Sequence, residues 1–193
     1  MPEILIHLRV GYEVNKKYKA KNEEQYYLGC ILPDAVNAYG FASKEKRWNS
    51  HKRDKDLNKW EENIIEFYKK NIEKYPEDYL KGYLVHVLTD VIADKFYDKY
   101  LKEKISKDKY IKDIYGFYKN ELQLYEHSQI KEQWFLETIN TLKKAEIIPI
   151  ENIKKDEILL WREYNIRKYS LYERKIHGII TPKYLEKITS EVV

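Results

Sequence analysis

His86 and Asp90 stand four residues apart in the segment GYLVHVLTDVIAD, residues 82–94. On a helix this spacing puts both side chains on one face, one turn apart. An imidazole and a carboxylate so placed can grip one metal ion, or can hydrogen-bond to each other inside a core. The flanking Leu80, Leu84, Val87, Leu88, Val91 and Ile92 are apolar. An ionised Asp among such neighbours needs a pairing partner or a metal. Asp34 follows Pro33 at the end of LGCILPDA, where the chain leaves an apolar stretch, and suits either a site or a turn. His51, in NSHKRD, has polar surroundings and alone reads as an exposed residue. Asp34 and His51 nevertheless bracket one loop, and a folded loop brings both to one point. His7 lies between Ile4-Leu5-Ile6 and Leu8, which fits a core histidine as well as a ligand. The chain has five His, and three of them fall within its first 86 residues. A set of His and Asp ligands suits zinc, with iron, nickel and manganese as competitors. Glu126-His127 offers another ligand pair or a surface placement, and His177 lies outside the pattern.

The elements that position these residues read as helices throughout. Residues 4–18 carry Ile4, Leu5, Leu8 and Tyr12 at helical spacing. A second helix starts at Asn22, runs through Tyr26, Tyr27, Leu28 and Ile31, and is stopped by Pro33. Residues 34–53 read as a long loop, marked by Asn37, Gly40, Ser43, Asn49 and Ser50, and loops of that length are often functional. A third helix is expected from Asp56 to Lys74, with Trp60, Ile64, Ile65 and Phe67 facing the core. Pro76 precedes the most apolar helix, residues 77–102, whose acidic first turn complements its dipole. A helix apolar on most sides belongs in the middle of a bundle. Further helices are expected at 107–125, 128–144, 155–172 and 182–191, the last starting at Thr181-Pro182. The expected architecture is all-α, a bundle of seven or eight helices forming one metal-binding domain over residues 1–193.

Composition narrows the function classes. With 6 Gly and 5 Pro the chain favours helices over a turn-rich β fold. Its 36 basic and 32 acidic residues are interleaved, giving a net charge of +4. Such a pattern describes solvated helix faces and speaks against a nucleic-acid surface. Cys30 is the one cysteine, so no intrachain disulfide forms, which suits a reducing compartment. No apolar run approaches the roughly 20 residues that span a bilayer. The opening MPEILIHLRV lacks the pattern of a secretory signal, and a cytoplasmic location is expected.

The order His7, Gly29-x-x-x-Pro33-Asp34, Ser50-His51 and Gly82-Tyr83-x-x-His86-x-x-x-Asp90 resembles the zinc-dependent phospholipase C family, whose superfamily includes the zinc-dependent single-strand-specific nucleases. The resemblance covers residues 4–95. It implies a phospholipase C/nuclease-like helical bundle in which Asp34, His51, His86 and Asp90 complete one metal site. It further implies that His7 lies beside that site and shares Asp90 with a second metal. Secreted members supply a mature N-terminal Trp to that second metal, whereas this chain begins Met1-Pro2-Glu3. A further metal in those enzymes needs a His-x-x-x-Glu and another His, and nothing after Asp94 matches. The cofactor expected from the resemblance is therefore zinc, one ion or two, with iron and manganese also compatible. The HD-type phosphohydrolases, also all-helical, need an adjacent His-Asp dipeptide that this chain lacks.

A metal with an open position lowers the pKa of its water from about 15.7 to about 7, which suits attack on a phosphoester. The expected substrate is a lipid or small-molecule phosphoester, with Asp34 as a ligand or as the general base. Lys44, Lys46, Arg47, Lys52 and Arg53 either offset phosphate charge or belong to a solvated loop. Trp48 and Tyr83 either line a pocket or pack, and Trp60, Trp134 and Trp161 read as packing residues. Two other classes fit the same sequence. One is a protein with a closed, purely structural metal, and the other is a non-enzymatic helical binding module.

Overall fold

The structure, a computed structural model, describes residues 3–97, 103, 107, 111–170 and 182–192. These residues form nine α-helices: α1 (Ile4–Tyr18), α2 (Glu23–Gly29), α3 (Lys44–Ser50), α4 (Leu57–Asn71), α5 (Glu77–Phe96), α6 (Ile114–Gln129), α7 (Gln133–Leu142), α8 (Lys155–Ser170) and α9 (Pro182–Val192). A 3-10 turn spans Pro33–Asn37, and no strand occurs among the described residues. The fold is an all-α bundle, and the described residues form one helix beyond the eight whose ranges were expected. The additional helix is α3, inside the stretch expected to be an unstructured loop. Ser43 caps it, its hydroxyl accepting from Lys46 N–H at 3.2 Å. The sequence KEKRWNS has no apolar stripe, so a helical period was not there to be read. Helix α2 ends at Gly29, short of the expected Ile31 and four residues before Pro33, which instead starts the 3-10 turn that carries Asp34.

Boundaries differ elsewhere for similar local reasons. Asn22 is the cap of α2, accepting from Gln25 N–H at 3.0 Å, and not a helical residue. Asp113 caps α6 by accepting from Gly116 N–H at 2.9 Å, so that helix starts well after 107 and runs past 125. Helix α7 begins at Gln133, not 128, and α4 ends three residues before Lys74. The expected extensions to 102 and 172, together with Thr181 and His177, lie partly or wholly outside the described residues.

Helix α5 is the axis, packing against α1, α2, α4 and α9. Its residues are buried on nearly every side, from Tyr79 and Leu80 to Val91 and Ile92. Asp78 in its first turn accepts from Tyr18 O–H at 2.8 Å and from Asn22 N–H at 2.7 Å, tying α1 and α2 to its start. The closest approach is at Gly29 of α2 and Gly82 of α5. A Cβ on Gly29 would lie 2.2 Å from Tyr79 O, and one on Gly82 would lie 2.0 Å from Tyr26 O. Both clashes are with backbone, which cannot rotate away. Helix α1 joins the crossing through Gly11, whose carbonyl accepts from Tyr26 O–H at 3.0 Å.

Gly82→Ala is expected to destabilise the protein by about 3 kcal/mol, at the upper end of overpacking costs. Urea unfolding of the variant checks this, and a loss below about 1 kcal/mol would show that the two helices separate freely.

Candidate metal centre

Five side chains from four elements converge at the middle of α5: His7 (α1), Asp34 (the 3-10 turn), His51 (the end of α3), and His86 and Asp90 (α5). Asp90 is at the centre. One carboxylate oxygen lies 3.5 Å from His7 Nε2, and the other lies 3.4 Å from His51 Nε2 and 3.8 Å from His86 Nε2. Asp34 reaches His51 Nε2 at 3.4 Å and His86 Nε2 at 4.0 Å with its two oxygens. The His7 and His86 rings stack with centroids 3.7 Å apart. His7, Asp34 and His86 form one group with the spacing of metal ligands, and His51, His86 and Asp90 form another.

Main-chain carbonyls set both imidazole tautomers. His86 Nδ1–H donates to Cys30 O at 2.7 Å, and His51 Nδ1–H donates to Arg47 O at 2.8 Å. Each ring therefore turns Nε2 toward the centre, and the two nitrogens are 3.3 Å apart. Ring bonds of this kind are what orient metal-ligating histidines. The frame around His51 is itself fixed. Trp60 Nε1–H donates to His51 O at 2.7 Å, and Tyr83 O–H donates to Ser50 O. Tyr83 is fully buried and packs on Phe67, so it supports the centre from behind.

The donor set fits a divalent ion. Two ligands at about 2.05 Å from a tetrahedral zinc lie about 3.3 Å apart, the separation of the two Nε2 atoms. Asp90 is completely buried, and neither of its oxygens accepts a hydrogen bond among the described residues. A carboxylate left in that state is costly unless a cation faces it. Burial raises the Asp90 carboxyl to about 7, against the pull of His51. Burial also raises Asp34, but the hydrogen bond to His51 and the neighbouring rings outweigh it and hold the group below the usual carboxylate range. Burial lowers His86 well below an ordinary imidazole, and the charge of His7 adds to the effect, so His86 keeps its lone pair. His51 is lowered by burial but raised more by Asp34 and Asp90, for a net upward shift.

The centre is sealed except at Asp34. The Asp34 side chain is 10% exposed, whereas those of His7, His86 and Asp90 are 0% and that of His51 is 1%. Asp34 opens into a cavity of about 950 Å³. Arg47, Trp48 and Arg53 line it, as do Tyr115 of α6 and Trp161 and Tyr164 of α8. Trp48 thus lines the cavity, and so does Trp161, which the sequence alone assigns to packing. Trp134 is a packing residue, buried against Phe135. Lys46 and Lys52 turn away to Glu157 and Glu151.

Glu126 takes neither of the places open to it in the sequence. It is 1% exposed and accepts from Leu5 N–H at 2.9 Å and Tyr169 O–H at 2.8 Å, so it holds the start of α1. His127 is half-buried and belongs to neither ligand group. Asp94, one turn beyond Asp90, pairs with Arg53 at 2.6 Å and had no signal of its own in the sequence.

Among the described residues no helix is long and apolar enough to cross a membrane. No match was found among curated proteins or solved structures. The family described as zinc dependent phospholipase C matches residues 4–190, reaching far past residue 95, where the motif resemblance ends. Nearly the whole chain is covered, the helices of its second half included, and the chain belongs to the zinc dependent phospholipase C family.

Proposed function

We propose that this protein is a metal-dependent phosphoester hydrolase acting on a lipid or small-molecule phosphoester. In this reading residues 1–193 work as one helical domain. Asp34, His51, His86 and Asp90 hold one zinc ion, and His7 stands beside it, able to share Asp90 with a second ion. The observation that carries the reading is that Asp34 alone joins a sealed His and Asp cluster to a large cavity. Zinc held there would supply Lewis acidity and a nucleophilic oxygen at neutral pH. Asp34 is ionised at neutral pH, lines the cavity, and can accept the proton of the attacking water. His51 and His86 hold their positions through Arg47 O and Cys30 O and need no reorganisation during turnover. Trp48, Trp161 and Tyr164 give the cavity apolar surface against which an ester's non-phosphate part can pack. A purely structural metal is the weaker reading, because structural sites are closed and this one meets the cavity at Asp34.

His86→Ala should lose zinc by elemental analysis and lose more than about 100-fold in hydrolysis of bis(p-nitrophenyl) phosphate or phospholipid vesicles. Undiminished hydrolysis by a metal-free His86→Ala protein would end the proposal. Zinc affinity should also depend on pH. The Asp90 carboxyl titrates at about 7 and the His51 imidazole above its ordinary value, so below these points zinc must displace protons. Affinity therefore rises as pH increases through 7, by about one log unit per pH unit for each proton released. Calorimetric titration in buffers of different ionisation enthalpy counts those protons, and a pH-independent affinity with no proton release contradicts the assignment of Asp90 and His51.

A further inference from the structure

Five basic side chains lie between Lys44 and Arg53, and the structure divides them. Lys46 is committed to Glu157 and Lys52 to Glu151. The Lys44 ammonium sits over the Trp48 ring at 4.6 Å and does not line the cavity. Arg47 and Arg53 do line it, as Asp34 does.

Each arginine is fixed by part of its guanidinium and presents the remainder. Arg47 Nε–H donates to Ala42 O at 3.0 Å, and its guanidinium lies over Phe41 at 4.0 Å. Among the described residues its two terminal nitrogens have no partner. Arg53 Nη2 donates to Asp94 at 2.6 Å, and its guanidinium stacks over Trp60 at 4.3 Å. Its Nε and Nη1 have no partner among the described residues.

Both arginines are mechanically linked to the metal centre. Arg47 O accepts from the His51 ring, and Arg53 N–H donates to Trp48 O at 2.9 Å. Asp94, which aims Arg53, is one turn beyond Asp90. Trp60, under Arg53, holds His51 O. The segments that carry the two guanidinium groups are thus the ones that hold His51.

We propose that Arg47 and Arg53 together form a phosphate-binding site on the cavity wall beside Asp34. The ligand class is a phosphate group, carried by a lipid headgroup or by a soluble ester. The proposal rests on the phosphoester reading and names the residues that would hold the anion. Guanidinium offers a planar fork of donors that matches phosphate oxygens in pairs, which a lysine ammonium does not. The carboxylates of the lining are Glu3, Asp34 and Asp94; Lys168 pairs with Glu3 and Glu126, and Lys119 adds positive charge. With Asp34 assigned to the metal, the cations are in excess. Asp94 uses one donor of Arg53 and orients the others.

The test is calorimetric titration of the full chain with inorganic phosphate, in zinc-loaded and metal-free forms, together with cosedimentation on phosphatidylglycerol vesicles. Arg47→Gln and Arg53→Gln should each weaken phosphate binding about tenfold, Arg53→Lys should recover part of the loss, and Lys52→Gln should change nothing. Unchanged unfolding midpoints and zinc content separate lost anion contacts from a disturbed fold, and Arg53→Lys keeps the cation if the Gln variants fail to fold. Arginine-dependent binding to phosphate points to a free anion, and arginine-dependent binding to vesicles alone points to a lipid headgroup. Either supports the site. Binding in the Arg47→Gln/Arg53→Gln double variant equal to the parent, or no binding of either probe by the parent, overturns it. Arginine-dependent phosphate binding that is indifferent to zinc would keep this site and count against the metal-hydrolase reading. Zinc-dependent binding indifferent to the arginines would do the reverse.

Discussion

The crossing of α2 and α5 at Gly29 and Gly82 is the constraint on which the centre depends. Two helices approach this closely only where neither carries a Cβ at the contact. The reward is positional. Gly29 immediately precedes Cys30, and Gly82 is one turn before His86. Bringing the two glycines together sets Cys30 O against the His86 ring, and thereby turns Nε2 toward Asp34, His51 and Asp90. A small residue pair thus fixes the direction of a ligand ring.

The same economy recurs in the acceptors. The last carbonyls of an α-helix have no partner within the helix. Helix α2 spends the carbonyl of its C-cap, Cys30, on the His86 ring. Helix α3 spends Ser50 O on Tyr83 and its C-cap carbonyl, His51 O, on Trp60, while Arg47 O takes the His51 ring. Two helix ends that would otherwise need water are satisfied by the groups that hold the centre. This accounts for α3 stopping where it does. Another turn of helix would consume the carbonyls that anchor His51.

How much of this could be read from sequence depended on whether the signal was local. The spacing of His86 and Asp90 on an apolar helix and the Pro33-Asp34 step carry their geometry with them. The bundle was legible because most helices have apolar periodicity or a capping residue. Helix α3 was not, since its seven residues bury only Ser50 and show no period. The Arg53–Asp94 pair joins residues 41 positions apart, and Glu126 reaches Leu5 across 121, so neither has a sequence pattern. The motif resemblance ended near residue 95 for a related reason. Helices α6 and α8 give the cavity aromatic walls, and residues such as Tyr115, Trp161 and Tyr164 look in sequence like ordinary packing.

The distribution of polarity around the centre argues for where chemistry takes place. Four of its five side chains are closed to solvent, and a buried carboxylate such as Asp90 gains nothing from water. It is therefore in a position to favour a cation strongly, because the alternative is a proton or an uncompensated charge. Asp34 differs. It is held ionised by His51 and has one edge on the cavity, so it can exchange partners without unsealing the centre. In the proposed hydrolase, affinity and reactivity are thus divided between two residues of the same type: Asp90 holds, and Asp34 meets what enters. The division follows from placement alone. Asp90 sits in mid-helix on the central element of the bundle, and Asp34 sits on a 3-10 turn packed between α3 and α8 at its edge.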